Sequence, residues 1–381
     1  MKIRVTQNML ESIRKTNEPK LFVPAQALRE DRLPFNLIEA SSLINVADTR
    51  EEWNLSGEGL AVAVLDTGLK TDHKDFEGRV VIPDNFAPVA NSIEDKNGHG
   101  THVAGIIAAR SDRYIGVAPN VKIVPLKVLD NRNEGKIKDV ARALNWVADN
   151  HQKYKITAVN LSLDDFGNYE DDEESNIVSG SPIGPAIRRL ANDHNIPVVA
   201  ASGNNFTKAQ GMSSPAIYRE TISVGAVFDS TLTQSALDEI QHSFGGANRW
   251  KPEARRAVQD AIAPFSQRLH ESTSPRCRTS IFAPGSPIEA SGISDERSSS
   301  LYAGTSQAAP FVTGVIILMQ EFYRRRYPGK LPSVNQLENW LRKGGVPIID
   351  GDDEVDNVSN TNLEFLRLDA WKTIKYINSN M

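Results

Sequence analysis

One alternation constrains this chain more than any other feature: short, almost wholly apolar runs take turns with segments patterned like amphipathic helices. Leu60-Ala-Val-Ala-Val-Leu65 closes on Asp66-Thr-Gly68, and Val121 to Leu129, Ala158 to Leu163, Ile196 to Ala201 and Thr221 to Val227 are further β-rich runs. Between them, Thr101 to Arg110, Lys138 to Asn150 and Ile183 to His194 carry small or apolar residues at helical spacing. Strands that are apolar on both faces need cover on both, which a parallel sheet between two helical layers provides. The expected fold class is therefore α/β: a doubly wound, mainly parallel sheet with helices on both faces, in three layers. In such sheets ligands bind beyond the carboxyl ends of the strands, so chemistry is to be sought there.

Size and charge narrow the reading. The 381 residues suit one large domain with extensions. Residues 1–50 lack strong periodicity and read as an N-terminal extension. Residues 51–381 read as the main domain, with insertions at 164–182, which holds Glu170-Asp-Asp-Glu-Glu174, and at 230–262. A net charge of −5 gives no general attraction for nucleic acid or an acidic membrane. The one cysteine, Cys277, excludes an intramolecular disulfide. It lies between Arg276 and Arg278, a setting that lowers a thiol pKa, and is expected to be a free thiol without a role. Charges crowd the N-terminus too closely for a secretory signal, and the uncharged stretch Ala303 to Gln320 is broken by Gly304, Pro310 and Gly314. It reads as a packed helix, not a membrane span, and the expected location is cytoplasmic.

Three strings carry chemistry, each at an expected strand end or helix start. Asp66 ends the first apolar run, His99 opens a helix of small residues in Asn97-Gly-His99-Gly-Thr-His102, and Ser306 sits on the turn Gly304-Thr-Ser306-Gln-Ala-Ala-Pro310. A hydroxyl is a poor nucleophile until a positioned base takes its proton, and that base needs a buried carboxylate to hold its tautomer. A Ser at a helix start also lies beside free backbone N–H groups, which suits a developing oxyanion. Taken singly, Asp66 reads as a turn carboxylate, His99 as a surface or core histidine and Ser306 as a helix cap. Their joint occurrence reverses all three readings. His73, His151, His194, His242 and His270 lack motif context and read as surface.

The order Asp, His, Ser with these flanking strings resembles the subtilisin-like serine proteases, the subtilases, over Trp53 to about Ala370. The resemblance implies serine endopeptidase activity on peptide or protein substrates. It makes Asp66 the orienting acid, His99 the general base, Ser306 the nucleophile and the Asn204 amide an oxyanion donor. Leu161-Ser162-Leu163, with Asp164 after it, and Ala201-Ser202-Gly203 resemble the segments that pair with substrate backbone and wall the pocket. His102 is left structural. No redox or organic cofactor is implied. Asp75 resembles a carboxylate ligand for a stabilising Ca²⁺, although Arg110 to Tyr114 is short for the partner loop.

The sequence also departs from the family. Gln307 follows the nucleophile where family members commonly have Met, and Asp164 stands where a Gly is usual. Asp164, Asp165 and the acidic insertion suggest a preference for basic residues near the cut. The N-terminal extension is short, as in intracellular relatives, and part of residues 1–48 near Leu21-Phe-Val-Pro24 is expected to restrain activity. Two other classes stay open. One is a peptide ligase or macrocyclase, with 230–262 as the segment shielding the acyl-enzyme. The other is a partner-gated protease acting mainly as an interaction protein. Oligomeric state is not legible.

Overall fold

The apolar runs build one eight-stranded sheet in the computed structural model, which describes residues 20–22, 26–28, 37–111, 113–174, 181–206, 209–232, 257–351 and 360–381. Two short strands, β1 (Lys20–Phe22) and β2 (Gln26–Leu28), come first in the chain. β3 (Ala61–Asp66) and β4 (Lys122–Lys127) follow, then the short β5 (Glu134–Lys136), β6 (Ile156–Leu161), β7 (Val198–Ala201) and β8 (Thr221–Phe228). The remainder are β9 (Ile281–Ser286), β10 (Ile288–Ser291), β11 (Ser299–Ala303), β12 (Val346–Ile349) and β13 (Glu364–Arg367). The main sheet runs β12-β13-β9-β8-β7-β6-β3-β4. Its pairs are parallel except β12 with β13 at one edge.

Every residue of β3, β6, β7 and β8 is buried, as expected of strands covered on both sides. The pleat sorts them. Val62 and Val64 of β3 join a core with the helices His99–Ala108 and Thr305–Arg326, whereas Ala61, Ala63 and Leu65 join one with Ile137–Tyr154 and Ile183–Arg188. The Thr305–Arg326 helix is buried from Thr305 to Gln320, so apolar residues surround it instead of forming one stripe. Helices Leu37–Leu43 and Val46–Trp53 tie the latter part of the N-terminal region to the same body, through buried Ala40, Ile44 and Val46.

The smaller pairings concern the N-terminal region. β1 lies antiparallel to β5, with Leu21 opposite Gly135, and β2 lies antiparallel to β11, with Ala27 opposite Tyr302.

Several sequence expectations change here. His73 is buried, with Nε2 bonded to the Ser298 carbonyl at 2.9 Å, and is not a surface residue. The acidic insertion is tied to the body by ion pairs. Asp172 is buried against the Arg219 guanidinium (2.7 and 2.8 Å), and Arg276 reaches Asp171 and Glu173. The Cys277 thiol is pushed up, to about 11, by burial; the charges of Asp172 and Asp171 add to the shift, and that of Arg219 opposes it. Most of 230–262, including His242, lies outside the described residues, but its neck closes where Leu232 bridges Ala257.

Candidate active site

β3 delivers Asp66 to its carboxyl end. There Asp66 Oδ1 accepts from His99 Nδ1 at 2.8 Å and from the Thr67 N–H at 2.7 Å, with both acidic and imidazole side chains fully buried. A carboxylate only accepts, so the imidazole proton lies on Nδ1 and Nε2 presents its lone pair. His99 can stand this close because the next residue is glycine. A Cβ at Gly100 would sit 2.3 Å from the Gly68 carbonyl oxygen.

Two residues without a place in the sequence motifs hold this corner. Asp95 Oδ1 accepts from the N–H groups of Asn97 and Gly98 and from Thr67 Oγ1, while Oδ2 accepts from the Thr101 N–H and hydroxyl. It thus caps the His99 helix and ties it to the Asp66 turn. Lys127, fully buried at the end of β4, bonds through Nζ to the carbonyls of Thr67 and Glu94 and to Asn131 Oδ1. Burial lowers its pKa, and the charges of Asp95 and Asp66 oppose that shift. An Asp just before a helix start and a Lys at the end of an apolar strand were the available signals.

Ser306 is the second residue of the Thr305–Arg326 helix, so its backbone N–H has no acceptor within the helix. Its hydroxyl donates to the Ser162 carbonyl at 3.2 Å and makes no hydrogen bond to His99. Pro310, four residues on, lacks the N–H that would bond the Ser306 carbonyl, and the Ser162 hydroxyl takes that place at 2.7 Å. A relay behind it runs from Thr313 to Asn160 Oδ1 and from Asn160 Nδ2 to the Ser162 hydroxyl.

Asn204 follows β7. Its Oδ1 accepts both the N–H and the hydroxyl of Thr305, at 2.7 and 2.8 Å, while its Nδ2 is buried with no partner among the described residues. The amide is held by its oxygen and leaves its donor free, next to the start of the Ser306 helix.

The expected pocket segments divide by strand alternation. Ser162 faces Ser306, whereas Leu161 and Leu163 pack into the core under the Ile137–Tyr154 helix and Ala201 into the core under the Thr305–Arg326 helix. Ser202 bonds to the Gln267 carbonyl, and the Gly203 N–H donates to Thr305 Oγ1. Gly203 has φ +110°, and a Cβ there would lie 2.0 Å from Gln267 Oε1 and 2.6 Å from Ser213 Oγ. Gln267 and Ser213 therefore crowd Gly203, which the motifs did not reveal.

Asp164 is buried and accepts the Phe166 N–H at 2.8 Å; burial, with Asp165 adding, pushes its carboxyl up to about 8. Burial thus favours its neutral form over the carboxylate. Asp165 is engaged by the N–H groups of Gly167 and Ser214 and by the Tyr169 hydroxyl. Within the acidic insertion Asp172 pairs with Arg219, and Asp171 and Glu173 with Arg276, so part of its charge is compensated inside the fold.

Asp75 does not fit a calcium ion. Its Oδ2 takes the Ser291 hydroxyl at 2.6 Å and the Tyr114 hydroxyl at 3.3 Å, and the buried Arg79 guanidinium bonds the carbonyls of Asp75 and Ala108. A chain-borne cation and two hydroxyls occupy the surroundings that a metal would need. No group of three or more His, Cys, Asp or Glu side chains among the described residues could hold a metal ion.

Comparison with known proteins places the chain in a family. The chain is 30% identical over 276 residues to subtilisin-like protease 3 of Saccharomyces cerevisiae, covering 68% of this chain and 45% of that one. It is 29% identical to serine protease AprX of Bacillus subtilis, covering 71% and 59%. Against the major intracellular serine protease of Bacillus subtilis it is 28% identical, covering 79% and 81%. The chain thus spans about half the length of the first two relatives. A crystal structure of a cold-adapted subtilisin-like serine proteinase superposes with a TM-score of 0.56 at 25% identity, covering 83% of this chain and 90% of that one. The model of the subtilase family matches residues 57–343, and the chain belongs to that family.

Proposed function

We propose that this chain is a serine endopeptidase. The observation that carries the reading is the buried Asp66–His99 hydrogen bond beside a serine at a helix start, with the free Asn204 donor adjoining it. Ser306 Oγ attacks the scissile carbonyl while His99 Nε2 takes its proton. Asp66 holds the imidazolium, and Asn204 Nδ2 with the Ser306 N–H receives the oxyanion. His99 then gives the proton to the leaving amine, and water cleaves the acyl-enzyme by the same route. The substrate is a peptide or protein segment that bonds the Ser162 carbonyl.

Residues 51–381 form the catalytic domain, and the N-terminal region restrains it. The support is the pair of strand contacts on either side of the site. β5 bridges back to Leu129, whose N–H bonds the Asp66 carbonyl, while β11 ends at Ala303, just before Ser306. β1 covers the first edge and β2 the second, four residues later in the chain. The likeness to the major intracellular serine protease of Bacillus subtilis supports a cytoplasmic location. No helix among the described residues is long and apolar enough to cross a membrane.

Labelling with a fluorophosphonate probe tests the reading. Modification at Ser306, absent in Ser306→Ala, is expected, with hydrolysed products seen by mass spectrometry. A modified residue elsewhere, or no peptide cleavage after the N-terminal region is removed, would overturn it.

A further inference from the structure

Gln307 is fully buried and points its amide at the base: its Nε2 lies 3.4 Å from His99 Nε2, while its Oε1 has no partner among the described residues. Since Nδ1 carries the His99 proton, the Nε2 lone pair is the acceptor that Ser306 needs, and the Gln307 amide meets it instead. The Ser306 hydroxyl meanwhile donates to Ser162. Nucleophile and base are therefore each engaged with a different partner. A buried amide with one long contact and an orphaned oxygen is unfavourable for folding, so packing alone gives no reason for a polar side chain here.

We infer that Gln307 is a positioning residue that latches His99 in the resting enzyme and must release it before Ser306 can be activated. The inference rests on the serine-hydrolase reading of Ser306 and His99. A substrate N–H that takes the Ser162 carbonyl displaces the Ser306 hydroxyl from its resting acceptor. The hydroxyl's next acceptor is His99 Nε2, and the Gln307 amide gives it up. The latch thus slows reagents that lack a peptide backbone and so cannot drive this exchange.

Two measurements on the full chain test this. The first compares the rate of Ser306 acylation by a fluorophosphonate in wild type and Gln307→Met, a side chain of similar length without a donor. Loss of a single weak hydrogen bond to the base predicts a gain of about threefold to tenfold. An equal or slower rate in folded Gln307→Met would overturn the latch, and Gln307→Leu serves if Met does not fold. The second compares the ¹⁵N resonance of His99 Nε2 in Ser306→Ala and in Ser306→Ala with Gln307→Met, where Gln307 is the only donor under test. The resonance is expected to move towards that of an unbonded lone pair when Gln307 is removed; no change overturns the contact. Absence of any Ser306 adduct in either chain, and again after residues 1–36 are removed from both, would count against the hydrolase reading itself, and the resonance would still decide the latch.

Discussion

Ser162 and Ser306 exchange hydrogen bonds. The Ser162 hydroxyl donates to the Ser306 carbonyl at 2.7 Å, and the Ser306 hydroxyl donates to the Ser162 carbonyl at 3.2 Å. The first bond exists because Pro310 leaves that carbonyl without its helical partner. Ser162→Ala then strands a buried carbonyl and frees Asn160 Nδ2, at a cost of about 1–3 kcal/mol. A denaturant midpoint lowered to match is the expected outcome, with kcat reduced more than KM is raised.

Asn204 is tethered through its oxygen, so its donor is oriented before any substrate arrives. Asn204→Ala removes the donor and leaves the Thr305 N–H and hydroxyl without their acceptor. Loss of kcat by about 10²–10³-fold with little change in KM is expected, a magnitude established on another subtilase. Steady-state kinetics on one peptide substrate checks it, and a large rise in KM would assign Asn204 to ground-state binding instead.

Asp164 links stability to pH. Its carboxyl, at 3.8 when unfolded, is raised to about 8 in the fold, so the folded chain binds a proton that the unfolded chain has released between those values. The contribution is full below about pH 4 and is lost as pH rises through about 8. Asp229, raised in the same direction by burial, adds to it. Stability is expected to fall between about pH 5 and pH 7, by up to about 1.4 kcal/mol per pH unit for each such group. Asp164→Asn makes that slope shallower, as urea midpoints across the range would reveal.

The surroundings of Asp75 lead to an expectation about metal. With Ser291, Tyr114 and Arg79 already in place, removing divalent ions with EDTA should leave the melting temperature of this region unchanged. Wild type and Asp75→Asn are expected to respond identically to added calcium, although the variant melts lower because an amide oxygen is a weaker acceptor for the Ser291 hydroxyl than a carboxylate. A calcium-dependent rise in wild type that Asp75→Asn abolishes would overturn the assignment.

Deletion of residues 1–36 removes β1 and β2 but keeps the helices that pack into the core. Peptide hydrolysis by this chain is expected to rise, with a lower apparent KM, since the β5 and β11 edges become free. Equal kinetics would remove the restraint from the account.

Much of the sheet and the candidate site could be read from local pattern. Asp66, His99 and Ser306 each end a strand or begin a helix, and strand ends and helix starts leave marks in adjacent residues. What escaped depends on partners distant in sequence. Asp75 meets Ser291, 216 positions away, and the Asp172–Arg219 pair spans 47. No periodicity in either segment announces the other. Leu161 and Leu163 show how the pleat divides a run that a motif names whole: their side chains enter the core, and of the three it is Ser162 that bonds the nucleophile. The burial of His73 escaped because its acceptor, the Ser298 carbonyl, is backbone and carries no residue signature.

β1 and β2 belong to the same chain as the strands they pair with, and this fixes how a restraint of the proposed kind would behave in solution. A tethered segment acts at an effective concentration set by the tether, on the order of mM, whatever the amount of protein present. Diluting the enzyme cannot release it. Weakly binding peptides would be excluded at ordinary concentrations, and only tight ones would compete. Severing the chain between β2 and the first core helix turns the segment into a free ligand, which is then lost to bulk. Such a cut does not reverse, and after it dilution, which leaves the tethered segment in place, would favour release.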